Sequence, residues 1–140
     1  MTGWLVLSIV AAAAVIVGSI RLRRRYTTAT VRGTSMVPTF GDGTRVLAAR
    51  RAEYRVGDVV VFRTPPAFPG DPAGRIKRIA ATAGDPVPGW LGRTEPGTVP
   101  AGCVVVAGDN PHSQDSRQLG FIQLSAVAGR VIRVLPHRRR

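Results

Sequence analysis

An uncharged apolar run over residues 2–20, TGWLVLSIVAAAAVIVGSI, sets the first limit on what this chain can fold into. Roughly 17–25 such residues cross the hydrocarbon core of a bilayer as a helix. Trp4 stands where one interface would lie, and Arg21, Arg23, Arg24 and Arg25 close the run at the other. A cleaved secretion signal would place basic residues ahead of the apolar stretch, and Met1-Thr2-Gly3 holds none, which favours a retained anchor. The expected layout is a transmembrane anchor over 2–20, a basic juxtamembrane segment over 21–26, one folded domain over 27–136 and a basic tail over 137–140. Arginines just after the span argue for a cytoplasmic domain, because positive charge is retained on that side.

The folded domain reads as mainly β, a single compact β-sheet or barrel-like unit preceded by one N-terminal transmembrane helix. Short runs rich in β-branched residues fall at 44–48, 59–62, 75–81, 104–107 and 128–135, separated by Gly, Pro and Asp. Gly57-Asp58 and Gly108-Asp109-Asn110 supply turn chemistry, and Asp109 and Asn110 are read as turn formers. The Pro/Gly-rich stretches 65–72 and 86–100 read as loops or short hairpins. No sustained helical periodicity follows the anchor.

The net charge of +12 permits an anionic membrane surface or nucleic acid as partner. No basic patch is interleaved with aromatics in the way that stacks on bases, so a specific nucleic-acid partner is not expected. The histidines are His112 and His137 and the one cysteine is Cys103, so no metal-ligand spacing arises and neither a metal nor another cofactor is expected. Cys103 reads as a small buried strand residue.

The basic residues comprise nineteen arginines and one lysine, Lys77. Arginine stays protonated in proteins, whereas a desolvated lysine can become a neutral amine and act as a base. In an extended 75–81 segment, Lys77 shares a face with Arg75 and Ile79, and Ile76 shares the other with Arg78. A base needs a nucleophile. Ser35 stands in Gly33-Thr34-Ser35-Met36-Val37-Pro38-Thr39, a small-residue turn with Pro38 fixing the backbone after it.

Four segments then fall in order: this serine turn; Gly57-Asp58-Val59-Val60-Val61-Phe62; Ile76-Lys77-Arg78-Ile79 with Gly84-Asp85; and Gly108-Asp109-Asn110-Pro111-His112-Ser113-Gln114-Asp115-Ser116-Arg117. Together they resemble the type I signal peptidase family, membrane-bound serine–lysine endopeptidases whose motifs read S-M-x-P-T, G-D-V-V-x-F, K-R followed by G-D, and G-D-N with S-x-D-S-R.

The resemblance implies that Ser35 is the nucleophile, Lys77 its general base, and Ser113 the hydroxyl that orients the amine. It implies a structural ion pair between Asp115 and Arg117, and an oxyanion hole that uses the Ser35 backbone N–H. Some relatives add a serine hydroxyl two positions before the nucleophile; here that position is Gly33, and the fourth motif is one residue shorter before its serine. The chemistry demands that burial lower the Lys77 pKa by about three units. Ile76, Ile79 and Met36 are the apolar neighbours on offer.

The implied substrates are exported precursor proteins with small residues at P1 and P3, cleaved beside the lipid bilayer by a single-pass protein of the cell membrane. Such a role needs the domain on the extracytoplasmic face, against the positive-inside bias. Three other readings compete: a serine–histidine triad through His112, a self-cleaving protease of the SOS-repressor type, and a non-catalytic membrane-tethered basic domain. The plainest reading of His112 itself is a solvated loop residue.

Overall fold

The computed structural model describes residues 2–65, 74–92 and 97–136. The basic tail 137–140 and the middle of both Pro/Gly-rich connections lie outside the described residues. The apolar run is helical, and the helix continues through the charges: α1 spans Thr2–Arg25. Arginine is a good helix former, so the basic residues form the last turns of the helix. At 1.5 Å per residue α1 is roughly 36 Å long. Its Val6–Arg23 window has a mean hydropathy of 1.9 and buries nothing against the rest of the protein, so α1 is long and apolar enough to span a membrane.

A strand begins at the very next residue. β1 (Tyr26–Thr30) is followed by β2 (Arg45–Ala49), β3 (Val59–Arg63), β4 (Gly74–Thr82), β5 (Cys103–Ala107), β6 (Ile122–Gln123) and β7 (Val127–Leu135). They form one sheet in the order β1-β2-β7-β3-β4-β5-β6, every pairing antiparallel. The chain is thus mainly β with one N-terminal apolar helix. β1 and β6 stand at the two ends of the sheet. A four-residue helix α2 (Ser116–Leu119) and 3-10 turns at Gly89–Leu91 and Leu124–Ala126 complete the elements. Within the 86–100 stretch, Pro86 bridges Thr98.

β3 explains the layering. Its first four residues are all buried, although side chains in a strand alternate between faces. Val59 and Val61 join one core with Val31, Met36, Val46, Ala48 and Ile76. Val60 and Phe62 join a second core with Ile79, Val104, Val106, Ile122 and Val127. A strand covered on both faces reads as a continuous apolar run, and VVVF is that run. β4 lies beside it, with Val60 opposite Lys77 and Val59 opposite Arg78. Register shifts in the β2–β7, β3–β7 and β4–β5 ladders add local twist. Cys103 is a correction: it opens β5 half-buried, beside a third small cluster of Ala81, Val99 and Val105, because the strand's buried stretch starts one residue later.

β7 sits between β2 and β3 and admits no side chain at Gly129. A Cβ there would lie 2.7, 2.9 and 3.0 Å from the carbonyl carbon, oxygen and nitrogen of Ala49. Those are backbone atoms of β2 and cannot swing aside. Gly129→Ala should therefore destabilise the domain by about 1–3 kcal/mol. Gly41→Ala, where nothing lies within 4 Å of the added carbon, should change little. Urea denaturation of the full chain in detergent reads both.

Candidate active site

The serine turn hangs from the first core by the residues on either side of it. Val31 and Met36 are both fully buried there. The Val31 amide donates to the Thr44 carbonyl at 2.8 Å, and Gly43 donates back to Val31 at 2.9 Å. Between these anchors the Gly33 amide donates to Asp42 Oδ1 at 2.7 Å. The Asn110 amide donates to the Ser35 carbonyl at 3.1 Å, and Asn110 Nδ2 donates to the Thr34 carbonyl at 3.2 Å. Asn110 thus does more than form its own turn: it fixes the serine loop from outside. Ser35 faces an open cleft of about 510 Å³ that Arg32, Arg75, Lys77, His112 and Ser113 also line.

Lys77 reaches that cleft from β4. It lies between Ile76 of the first core and Ile79 of the second and is only 4% exposed. Its Nζ is 2.7 Å from Ser35 Oγ, donating to it in the protonated state. Burial first, and then the charge of Arg75, lower the Lys77 pKa from 10.5 to about 8, while Asp115 and Asp109 pull it partly back. At pH 7 roughly one amine in ten is then neutral, against one in a few thousand for an ordinary lysine.

The fourth motif folds beneath this pair. Asp115, 1% exposed, caps α2 by accepting from the Arg117 amide, and Gln118 Oε1 accepts from the Asp115 amide in return. The same carboxylate takes both prongs of the Arg117 guanidinium, Nε to Oδ1 at 2.9 Å and Nη2 to Oδ2 at 3.0 Å. Burial disfavours charge on Asp115, but hydrogen bonds from the Arg117 side chain and amide and from the Gly108 amide outweigh it and hold the carboxyl below its usual range. Arg117 also donates to the carbonyls of Pro111 and Ser113, stitching the loop closed.

Ser113 is buried on the cleft wall, and its hydroxyl donates to Asp115 Oδ2 over a long 3.4 Å. Gly108 makes its position possible. A Cβ at 108 would lie 1.8 Å from Ser113 Oγ and 2.8 Å from the Ser35 carbonyl oxygen. That glycine, read from sequence as turn chemistry, keeps open the space between the two serines.

Arg78 is the residue that sequence reasoning passed over. It binds Asp109 with two prongs, Nε to Oδ1 at 2.8 Å and Nη2 to Oδ2 at 2.7 Å. It also donates to the Gly57 carbonyl at 2.8 Å and, more weakly, to Thr39 Oγ1 at 3.4 Å. One guanidinium therefore ties β4 to the serine segment, the turn before β3 and the fourth motif. The hydrogen bond from Arg78 leads in holding the Asp109 carboxyl below its usual range. The available signal was alternation: a strand that turns Lys77 one way turns Arg78 the other. Asp85 has a local task, accepting from the Thr82 amide and hydroxyl at 2.8 Å each.

His112 is exposed on the cleft rim, while the Ser35 hydroxyl meets Lys77. Among the described residues no cluster could hold a metal ion.

A family model described as signal peptidase, peptidase S26, matches residues 1–89 and 88–135. No curated protein matches the chain.

Burying the amine has a measurable cost. The folded pKa of about 8 lies below the unfolded value near 10.5, so the unfolded chain binds more protons between those pH values. Stability of the parent should rise with pH across that window, and below it the full penalty of about 3 kcal/mol applies. Lys77→Met, similar in volume, should be more stable than the parent by about that amount at pH 7. The difference should vanish above about pH 10.5. Paired denaturation series at several pH values test it.

Proposed function

Because the chain belongs to the signal peptidase family, peptidase S26, we propose that it is a membrane-anchored serine endopeptidase that removes N-terminal signal or leader peptides from exported proteins. Membership makes it a signal peptidase-type serine protease in general. The finer reading rests on the 2.7 Å contact between Ser35 Oγ and an amine that burial makes easy to deprotonate.

In this mechanism the neutral Lys77 Nζ takes the Ser35 hydroxyl proton as Oγ bonds to the scissile carbonyl carbon. The Ser35 N–H supports the developing oxyanion. Collapse of the tetrahedral intermediate breaks the C–N bond, and the Lys77 ammonium returns its proton to the departing amine. A water, deprotonated by the same amine, attacks the acyl ester, and release of the new carboxyl terminus restores the serine hydroxyl. Ser113 shares the cleft wall with Lys77, where by family resemblance its hydroxyl orients the amine, and the Asp115–Arg117 pair holds the loop that carries Ser113. The cleft takes an extended precursor segment with small side chains at P1 and P3. In this layout α1 is the anchor, the sheet domain over 27–136 is catalytic, and that domain works on the extracytoplasmic face.

A synthetic leader with Ala at P1 and P3 tests the chemistry. Ser35→Ala and Lys77→Arg should each lower kcat/KM by a factor of about 10²–10⁴ or more. His112→Ala should stay within a few-fold of the parent. The parent's kcat/KM should climb with pH, its midpoint near the Lys77 pKa of about 8. Substantial cleavage by Lys77→Arg would defeat the amine base. For orientation, a Cys103→Ser chain carrying Ser125→Cys should react in intact cells with a thiol reagent that does not cross membranes. Labelling only after lysis would place the domain in the cytosol.

A further inference from the structure

The end of α1 and the end of β2 build a second cleft, remote in composition from the catalytic one. It measures about 540 Å³ and is lined by Arg21, Arg25, Arg50, Arg51 and Ala52. Two independent pieces of geometry bring its cations together. Arg21 and Arg25 are four residues apart on one helix and so share a face. The β1–β2 register pairs Tyr26 with Ala49, and one residue further the Arg50 amide donates to the Arg25 carbonyl at 2.8 Å. Arg50 and Arg51 are thereby held against the last turn of the helix.

All four side chains are exposed, and none has an ion-pair partner among the described residues. Elsewhere the protein does pair its arginines: Arg78, Arg117 and Arg130 each hold a carboxylate. Four guanidiniums around one cleft repel one another unless an anion joins them. Arginine forks match phosphate oxygens two at a time.

We propose that this cleft binds the phosphodiester headgroup of an anionic phospholipid. Position selects the source. The arginines begin where the apolar part of α1 stops, which is the depth of the phosphates when that helix spans a bilayer. The inference therefore rests on the membrane placement of α1 but not on peptidase activity. No aromatic ring lines the cleft, which disfavours single-stranded nucleic acid, whose bases stack on such rings. Arg50 and Arg51 are the discriminating residues, because Arg21 and Arg25 would meet headgroups from any helix of this kind.

The full chain in neutral detergent micelles, titrated with phosphatidylglycerol, tests the site by native mass spectrometry of lipid adducts and by thermal shift. Phosphatidylglycerol should bind and raise Tm, and phosphatidylcholine should do neither. Arg50→Gln with Arg51→Gln should weaken the phosphatidylglycerol affinity about thirtyfold, on an allowance of roughly one power of five per arginine near a charged surface. Tm of the double variant in plain detergent, without added lipid, should stay at the parent's level, which separates loss of the lipid site from misfolding. Equal affinity in parent and double variant would overturn the proposal. So would equal binding of phosphatidylcholine, displacement of the lipid by equimolar inorganic phosphate, or tighter binding of a DNA oligonucleotide than of the lipid.

Discussion

The desolvated amine of Lys77 is the constraint that the rest of the domain serves. Burial disfavours the charged form of a lysine, and the strand that carries Lys77 lies between two cores. The first holds Met36 and Ile76, the second holds Ile79 and Val60, and β4 runs between them with Lys77 in the wall. The central strand β3, buried on both faces, joins the two cores. A penalty of about 3 kcal/mol is a large share of the 5–15 kcal/mol that separates a typical domain from its unfolded chain. The arrangement is thus a standing cost that the two cores offset.

Lys77 and Arg78 show how alternation divides chemistry between neighbours. Adjacent in sequence, they face opposite sides of β4 and receive opposite treatment. Lys77 is buried with its charge disfavoured. Arg78 is given a carboxylate and a carbonyl, and its charge is used as a clasp. The carboxylates near the site also take distinct parts. Asp109 belongs to Arg78 and Asp115 to Arg117, so each reaches Lys77 mainly through space. Were either carboxylate released from its arginine, its field would act more fully on the amine and favour the protonated form.

Much of this was legible in the sequence because the signals were local. The VVVF run, the turn glycines and the β-branched stretches located β2, β3, β4, β5 and β7 to within a residue or so. β1 went unread because YTTAT has neither an apolar face nor a turn signal before it: it starts directly from a helix. β6 is two residues long and exists only through pairing with Cys103 and Val104. α2 is too short for a period and is held by the Asp115 cap. At the site, residue types and their order announced Ser35 and Lys77. What the sequence withheld were contacts between distant segments, such as Arg78 on Asp109, Asn110 on the serine loop, and the space that Gly108 keeps empty. Each depends on register, and register is a property of the assembled sheet.

The absence of any linker between α1 and β1 has a mechanical meaning. The helix ends at Arg25, the strand begins at Tyr26, and Ser35 follows ten residues after the helix. At about 3.3 Å per residue even a straight chain would carry the serine no more than roughly 33 Å from the end of the helix. β1 is moreover pinned to β2 along its whole length, so the reach is set by folded structure and cannot be paid out like a tether. With α1 in a bilayer, Ser35 would stand within about that distance of the surface. Under the proposed function the same limit would make the protein a ruler: only a peptide bond within that reach of the membrane would meet Ser35.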